Sequence, residues 1–308
     1  MKYLHLIRWK NLLLLALAQV LVKYALLEPF LSTTNLSITL NGFGFSLLVI
    51  STLSLAAAGY IINDLYDIES DRINKPNRVL VGKLVREKTA YNLFIGFNVV
   101  GVGLGFYLSH LIGKSGFFAL FVIISGLLYL YATYLKQLTL VGNVVVSILV
   151  AFSVIVVGLF ELLPAITSEN QQTQLTFFSI IFDYAIFAFS INLLREMVKD
   201  LEDLEGDVKT GRKTLAVVLG RTKASKVVLV MAVLFLAAVT YYVLNYFYKL
   251  QPAVLYFLLL VIGPLALFCI KIYQAKSKTH YKNLSRLLKL IMLMGILSLL
   301  LYKYVLLN

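Results

Sequence analysis

Six aspartates form two groups with the same spacing, and each group follows a long apolar segment and precedes several lysines and arginines. The first group is Asp64, Asp67 and Asp71, and the second, 136 positions later, is Asp200, Asp203 and Asp207. On a helix, positions i, i+3 and i+7 lie at about 0°, 300° and 340° around the axis, so each group would point three carboxylates the same way. Carboxylate oxygens are the ligands that hard divalent cations prefer. The pattern therefore predicts a divalent metal site.

The chain that carries these acids is unusually apolar. Of its 308 residues, 60% are hydrophobic and 14% are charged, whereas about 25% are charged in an ordinary soluble protein. Its mean hydropathy is +0.87. The sequence predicts an all-α integral membrane protein, with a bundle of nine transmembrane helices in a single domain of residues 1–308. The nine apolar segments cover residues 12–30, 43–62, 90–112, 116–135, 140–160, 175–194, 227–248, 252–272 and 287–307.

The distribution of Lys and Arg predicts the orientation in the membrane. One set of loops holds 24 of the 28 Lys and Arg residues, and loops of this kind normally stay in the cytoplasm. We expect a cytoplasmic amino terminus, a carboxyl terminus on the opposite side, and both aspartate groups at the cytoplasmic ends of the second and sixth helices. The net charge of +13 then reflects topology and attraction to anionic lipids, and no motif indicates nucleic acid binding.

Basic residues beside both aspartate groups indicate a substrate that carries phosphate. Lys75 and Arg78 follow the first group, and Arg212 and Lys213 follow the second. Mg²⁺ takes few protein ligands and completes its shell with water and phosphate oxygens, while Lys and Arg offset the remaining phosphate charge. A substrate with a diphosphate and a long apolar chain, a polyprenyl diphosphate, would suit such a site. Loss of the diphosphate would give an allylic carbocation that a second substrate captures, provided that water is excluded.

Two segments resemble the signature motifs of a known family. Residues 63–71, N-D-L-Y-D-I-E-S-D, look like the first aspartate-rich motif of the UbiA-type intramembrane prenyltransferases, and residues 203–207, D-L-E-G-D, look like the second. Members of that family also have nine helices, with both motifs on the cytoplasmic side. The resemblance implies that the protein is a Mg²⁺-dependent prenyltransferase. It also implies four aspartates that are essential for catalysis: Asp67, Asp71, Asp203 and Asp207.

The resemblance assigns roles to further residues. It adds Asn63 to the metal ligands, so that the full candidate metal set is Asn63 with the six aspartates. It places Lys136, in the short loop after the fourth helix, among the residues that grip the diphosphate, together with Lys75, Arg78, Arg212 and Lys213. Arg8 and Asn11 match the R-P-x-N motif of the first helix, which lines the acceptor end of the cavity in the family. Trp9 stands where that motif has proline.

The acceptor is the second substrate to be predicted. Residues 195–207 and 211–215 are most similar to family members that join a geranylgeranyl chain to geranylgeranylglyceryl phosphate through an ether bond. The implied partners are a prenyl diphosphate donor, a lipid acceptor and the surrounding membrane lipids. The alternative within the same reaction class is an aromatic acceptor, as in the biosynthesis of quinones or haem.

Two other protein classes share parts of this pattern. Asn192, Arg195 and Lys23 lie within or near apolar segments, as polar residues do in transporters, but the aspartates cluster at one membrane face and not at its midplane. The CDP-alcohol phosphotransferases also use membrane aspartates and Mg²⁺, yet their D-G-x-x-A-R sequence is missing here. The neighbouring glutamates fall at other helical angles and are predicted to be surface residues: Glu69, Glu202 and Glu205.

Overall fold

Nine helices are long and apolar enough to cross a membrane within residues 1–77 and 79–306, the part of the chain that the computed structural model describes. We number them α1 to α9 in chain order. They are α1 Trp9–Phe30, α2 Gly42–Tyr66, α3 Glu87–Leu111, α4 Ser115–Thr133, α5 Val141–Ala165, α6 Gln171–Lys209, α7 Leu215–Tyr246, α8 Gln251–Gln274 and α9 Lys278–Lys303. The same residues contain no β-strand, only an isolated bridge between Val81 and Val85. The prediction of an all-α membrane protein with nine spanning helices is confirmed.

Three helices extend well beyond the apolar segments that predicted them. Helix α6 ends at Lys209 instead of residue 194, α7 begins at Leu215 instead of 227, and α9 begins at Lys278 instead of 287. The 39 residues of α6 would span about 58 Å, against a hydrocarbon core of about 30 Å. Hydropathy detects only the part of a helix that suits lipid, whereas Lys, Arg and Glu continue a helix readily in water. The second aspartate group lies in this polar extension.

The described chain divides into two compact units. The first comprises residues 1–136 and 152–183, and the second comprises residues 137–151 and 184–308. One boundary between them follows Lys136, and the other two fall inside α5 and α6. That residues 1–308 act as one prenyltransferase domain stays a prediction.

Small residues bring α2, α3 and α4 together in the first unit. A Cβ atom on Gly105 of α3 would lie 2.3 Å from the Phe121 ring of α4, and one on Gly101 would lie 2.7 Å from Leu55 of α2. The Ser51 hydroxyl of α2 donates a hydrogen bond to the Gly101 carbonyl over 2.6 Å. Lipid gives helices no hydrophobic reason to associate, so close backbone approach at small residues supplies the packing energy.

Replacement of Gly105 by alanine is expected to destabilise this packing, because the fully buried Phe121 ring must move to admit a methyl group. The cost should be about 1–3 kcal/mol of unfolding free energy, as for other overpacked cores. Gly103 on the same helix has no atom within 4 Å of its Cβ position, so Gly103→Ala is the matched control and should be neutral. Thermal unfolding of the detergent-purified variants, followed by circular dichroism, checks the difference. Equal midpoints for the two variants would contradict it.

The second unit is packed in a similar way around the last helix. A Cβ atom on Gly295 of α9 would lie 2.2 Å from the Phe187 ring of α6. The hydroxyls of Tyr184 on α6 and Ser298 on α9 are 2.7 Å apart, and the Tyr256 hydroxyl of α8 donates to the Met294 carbonyl over 2.7 Å. The first two contacts hold α9 against the membrane portion of α6, whose extension carries the second aspartate group.

Candidate functional site

The first aspartate group lies across a break between two helices. Helix α2 ends at Tyr66, Asp67 has non-helical φ and ψ of −100° and 2°, and a short helix then runs over Ile68–Asn74. The prediction that one continuous helix carries this group is therefore wrong. Carboxylates are unfavourable at the carboxyl end of a helix and favourable in its first turn. The break moves Asp71 from the first kind of position to the second.

A lysine side chain contacts the first aspartate group. The Lys136 ammonium is 2.6 Å from Asp67 Oδ1 and 3.4 Å from the amide oxygen of Asn63, and the Lys136 side chain is 7% exposed. The Asn63 amide donates in turn to Asp67 Oδ2 over 2.6 Å. One carboxylate oxygen and one amide oxygen thus face a positive charge, which is the donor set that suits a hard cation. The structure brings Asn63, Asp67 and Lys136 together, and their roles toward metal and diphosphate stay predictions.

Arg8 reaches the same aspartate group from the start of α1. Its backbone is left-handed, with φ and ψ both at 51°, a conformation that costs a non-glycine residue about 1 kcal/mol or more. Its guanidinium is 2.7 Å from Asp64 Oδ1 and lies over the Tyr60 ring at 5.0 Å. The backbone N–H of Asn11 donates to the Arg8 carbonyl over 2.7 Å. The structure places Arg8 beside a predicted metal ligand, and its role toward the acceptor stays a prediction, as does that of Asn11.

The basic loop after the first aspartate group is partly folded into the protein. Val81 and Val85 are buried in one cluster with Leu6, Ile61 and Ala90, so this loop packs against the end of α2 that carries Asp64. Lys75 lies close enough to Asp71 to favour the ionised form of its carboxyl. Arg78, predicted to bind diphosphate, lies outside the described residues.

Burial, and secondarily the charge of Asp67, raises the pKa of Asp71 to about 6, although Lys75 opposes the shift. Only an ionised carboxylate binds a metal, so if Asp71 is a ligand as the sequence predicts, Mg²⁺ has to displace its proton at low pH. We expect the apparent Mg²⁺ affinity to weaken as pH falls below about 6 and to level off above neutrality. Calorimetric titration of the purified protein with Mg²⁺ between about pH 5 and 8 measures this. In Asp71→Asn the dependence should flatten, and an unchanged profile in that variant would contradict the assignment.

The second aspartate group lies on one helix, as predicted. Asp200, Asp203 and Asp207 all belong to the last turns of α6. Asp207 is 3% exposed, and the Arg212 guanidinium lies 3.4 Å from its Oδ1. The backbone N–H of Arg212 also donates to the Asp207 carbonyl over 3.0 Å. The chain turns back on itself just after α6, and this turn brings the basic loop to the acids.

The short segment after Lys136 is hydrogen-bonded to the loop that contains Arg212 and Lys213. The N–H of Lys213 donates to the Gln137 carbonyl over 3.0 Å, and the Thr139 hydroxyl donates to the Lys213 carbonyl over 2.6 Å. Lys213 is therefore anchored by its backbone. The structure places Arg212 in contact with Asp207, and the predicted binding of diphosphate by Arg212 and Lys213 stays a prediction.

Asn143 is a site residue that the sequence interpretation missed. Its amide donates to Asp200 Oδ2 over 2.8 Å, and its carbonyl accepts from the Ser147 hydroxyl over 2.6 Å. The Asn192 amide of α6 donates to Ser147 over 3.1 Å. An asparagine and a serine four positions apart inside an apolar helix were the available signal, because their polar groups need buried partners.

The chemistry of these donors fits Mg²⁺ in particular. Within the described residues, no three His, Cys, Asp or Glu side chains converge closely enough to hold an ion among themselves. Mg²⁺ rarely has such a cage, because it usually takes one or two carboxylates and fills its octahedron with water and substrate phosphate. Each aspartate group supplies carboxylates beside a cation that could turn to a phosphate, Lys136 in the first and Arg212 in the second.

Known proteins with similar sequences point to one family. The sequence pattern of the UbiA prenyltransferase family matches residues 29–303. The chain is 32% identical over 234 residues to digeranylgeranylglyceryl phosphate synthase of Saccharolobus solfataricus, covering 76% of this chain and 74% of that protein. It is 31% identical over 248 residues to the protein of the same name from Korarchaeum cryptofilum, covering 79% and 80%. For the one from Thermococcus gammatolerans, identity is 39% over 184 residues, and 59% of each chain is covered.

Solved structures agree with the fold. A structure described as digeranylgeranylglyceryl phosphate synthase in membranes superposes with a TM-score of 0.60 at 23% identity, covering 98% of this chain and 97% of the other. A UbiA homologue from Archaeoglobus fulgidus bound to GPP and Mg²⁺ gives a TM-score of 0.58 at 16% identity, with 97% and 99% covered. At this identity the likeness concerns the fold alone. The sequence match over residues 29–303 is what carries the conclusion: this multi-pass membrane protein is an enzyme of the UbiA prenyltransferase family.

Proposed function

We propose that the protein transfers a geranylgeranyl group from geranylgeranyl diphosphate to the hydroxyl of geranylgeranylglyceryl phosphate, with Mg²⁺ as cofactor. The observation that carries the proposal is the pairing of oxygen ligands with a basic side chain in each aspartate group, Asp67 with Lys136 and Asp207 with Arg212. Relatives that bear the name digeranylgeranylglyceryl phosphate synthase support the choice of acceptor. The UbiA homologue bound to GPP and Mg²⁺ supports the choice of cofactor.

The reaction exchanges one C–O bond for another. The allylic C–O bond of the donor breaks and its electron pair leaves with the diphosphate, after which the acceptor oxygen bonds to the allylic carbon and loses its proton. Bound Mg²⁺ would supply Lewis-acid stabilisation of the departing diphosphate. We assign Asn63, Asp67 and Asp71 as the residues of the first unit that hold Mg²⁺, with Asp64 beside them. In the second unit we assign Asp203 and Asp207, with Asp200 beside them. Lys136, Arg212, Lys75 and Lys213 would contact the phosphate oxygens.

Lys136 has two tasks in this scheme. In the absence of substrate it neutralises Asp67, and with substrate its ammonium would turn to the diphosphate. Lys136→Gln should therefore raise KM for the donor by about tenfold, because one charge-assisted hydrogen bond is lost. The same variant should bind Mg²⁺ more tightly without substrate, because Lys136 no longer competes for Asp67. Steady-state kinetics and calorimetry measure the two effects, and Lys88→Gln, at an exposed position, is the control. A loss of Mg²⁺ affinity in Lys136→Gln would contradict this role.

We further propose that the amino terminus and both aspartate groups face the cytoplasm, with the carboxyl terminus on the opposite side. The supporting observation is that 24 of the 28 Lys and Arg residues lie in one set of loops and in the helix ends that adjoin them. The variants Lys2→Cys and Lys249→Cys, each combined with Cys269→Ala so that it holds one cysteine, would measure the sidedness. They are labelled from outside intact cells with a reagent that does not cross the membrane. Only the Lys249→Cys variant should react, and labelling of Lys2→Cys alone would reverse the orientation.

A competition assay tests the substrates. The detergent-purified protein is incubated with geranylgeranyl diphosphate, Mg²⁺ and an equal mixture of geranylgeranylglyceryl phosphate and 4-hydroxybenzoate, and products are identified by mass, with a chelator control. A chelator-sensitive ether lipid is the expected product. A prenylated benzoate would keep the metal-dependent transfer and replace the acceptor by an aromatic one. Ether lipid formed at full rate in the presence of chelator would refute the role of Mg²⁺.

A further inference from the structure

The last third of the chain carries a strong and one-sided charge. Residues 208–308 contain 14 of the 28 Lys and Arg residues and no Asp or Glu. Topology accounts for such an excess in loops but not for its arrangement around a cavity. In the second unit, a cavity of about 340 Å³ lies among the ends of α7, α8 and α9. Three of these cations line it: Arg221, Lys226 and Lys276.

The cavity also supplies hydrogen-bond donors. Thr222 and Ser225 line it on α7, and Tyr281 lines it on α9. The fully buried Tyr281 is held in place by its hydroxyl, which donates to the Ala275 carbonyl over 3.0 Å and is 3.0 Å from the Ser225 hydroxyl. Arg221 lies over the Tyr281 ring at 5.9 Å. A cavity with a hydrogen-bonded floor and a basic rim is organised as a binding site.

Two features leave unused hydrogen-bonding capacity at Arg221. Its Nε is buried and has no hydrogen-bond partner within the described residues, and buried donors of this kind are rarely left unmet. The preceding Gly220 has φ of 74° and ψ of 159°, which breaks α7 and starts a new helix at Arg221. Backbone N–H groups in a first helical turn have no intrahelical acceptor. An anion at this place would meet both needs.

Little negative charge competes for these cations. Glu205 approaches Arg221 at 3.9 Å, but its side chain is 69% exposed, and an ion pair of this kind is worth little in water. The cavity also has an apolar side, formed by Leu229 of α7 and Ile272 of α8. It therefore combines a cationic rim with an apolar side at the end of membrane-spanning helices, which matches the boundary between lipid headgroup and acyl chain.

We propose that this cavity binds the phosphate group of a membrane lipid. The phosphate would be held by Arg221, Lys226 and Lys276, and the glycerol and first methylenes would lie against Leu229 and Ile272. Two sources could supply this chemistry: an anionic phospholipid of the membrane, or an acceptor lipid that itself carries a phosphate. Both would use the same cations, so the test separates them.

Direct binding measurements test the proposal without relying on catalysis. The full-length protein in neutral detergent is titrated with dihexanoylphosphatidate, with dihexanoylphosphatidylcholine and with inorganic phosphate, and bound ligand is counted by native mass spectrometry. Phosphatidate should bind at least about tenfold more tightly than either reference, since it alone offers both the anionic headgroup and the apolar chain. Equal binding of phosphatidate and phosphatidylcholine, or of phosphatidate and inorganic phosphate, would overturn the proposal.

Matched variants locate the binding. The triple variant Arg221→Gln, Lys226→Gln, Lys276→Gln should weaken phosphatidate binding by at least about tenfold through the loss of charge-assisted hydrogen bonds. The triple variant Lys223→Gln, Lys271→Gln, Lys282→Gln removes the same charge outside the cavity and should change it by less than about twofold. The double variant Lys226→Gln, Lys276→Gln alters only exposed side chains, and it serves if Arg221→Gln fails to fold. Equal losses in the cavity and control variants would overturn the proposal.

Competition distinguishes the two sources of the phosphate. Displacement of phosphatidate by geranylgeranylglyceryl phosphate would identify the cavity as a place where that acceptor's phosphate binds. Retention of phosphatidate in the presence of that lipid would identify a site for a structural phospholipid. Either result supports a lipid phosphate site, and neither depends on the prenyl transfer proposed above.

Discussion

Replacement of Asp67 by alanine is expected to lower kcat/KM for prenyl transfer by about a thousandfold, or about 4 kcal/mol of transition-state stabilisation. A lost ligand weakens both the binding of the diphosphate and the stabilisation of its departure. The structure adds a reason specific to this chain, because Asp67 is also the partner of the buried Lys136. Its removal leaves a positive charge where the proposal places a metal ion. Asp207→Ala should have an effect of similar size, because Asp207 is 3% exposed and contacts Arg212.

The controls are the neighbouring glutamates. Glu69 lies two positions from Asp67, and Glu202 lies next to Asp203. Glu69→Ala and Glu202→Ala should keep kcat/KM within about threefold of the unaltered enzyme. Asp67→Asn preserves the size of the side chain and separates loss of charge from loss of fold. Near-normal turnover in both Asp67→Ala and Asp207→Ala would refute the proposed metal role of the aspartates.

A double variant asks whether the two aspartate groups act on the same diphosphate. If they do, Asp67→Ala combined with Asp207→Ala should cost little more than either change alone, since residues that act as a unit are strongly non-additive. Additive losses in kcat/KM would indicate that the groups act in separate steps.

The largest effect on stability is expected at a buried ion pair in the first unit. Lys23 and Glu161 have side chains that are 1% and 0% exposed, and their charged atoms are 2.6 Å apart. Lys23 also donates to the Leu40 carbonyl over 2.5 Å, and the Leu40 N–H donates to Glu161 over 3.0 Å. The pair thus joins α1, α5 and the segment before α2, and Lys23 lies in a π-helical turn over Val22–Leu27.

Glu161→Ala is expected to lower the free energy of unfolding by about 3–5 kcal/mol, because it leaves the Lys23 ammonium buried without its counter-charge. Lys23→Met combined with Glu161→Leu should cost clearly less than the sum of the single changes, since apolar pairs of similar volume often replace buried ion pairs at little cost. Glu169→Ala, at an exposed position, is the control. Chemical denaturation in detergent micelles gives the comparison. A Glu161→Ala variant as stable as Glu169→Ala would contradict the prediction.

The same ion pair explains why Lys23 suggested a transporter. A lysine in an apolar segment is costly unless it is paired, and the sequence offers no local partner within helical reach. The partner is Glu161, 138 positions later. Asn192 and Arg195 also have nearby partners, Ser147 and Glu196. These partners account for the three polar residues in the membrane segments. The chain also belongs to an enzyme family, so no transport role is required to explain them.

Sequence alone determined the helix count, the membrane class and the aspartate groups, because these depend on local composition and spacing. A run of about 20 apolar residues is long enough to span a bilayer, and this length does not depend on contacts with other helices. Carboxylates at i, i+3 and i+7 share a helix face whenever the helix continues, as α6 does through Asp207. Family membership rests on the same short-range patterns.

Only the tertiary structure decided where those helices end and which charges meet. The helix that carries the first aspartate group is interrupted at Asp67. Val81 of the basic loop is buried in one cluster with Leu6 from the first residues of the chain. Lys136 meets Asp67 across 69 positions, and Asn143 meets Asp200 across 57. Contacts between residues so far apart in the sequence depend on how the folded chain packs. A buried charge or amide without a partner is unfavourable, so the folded structure pairs each of these groups. The spacing of residues along the sequence does not predict these pairs.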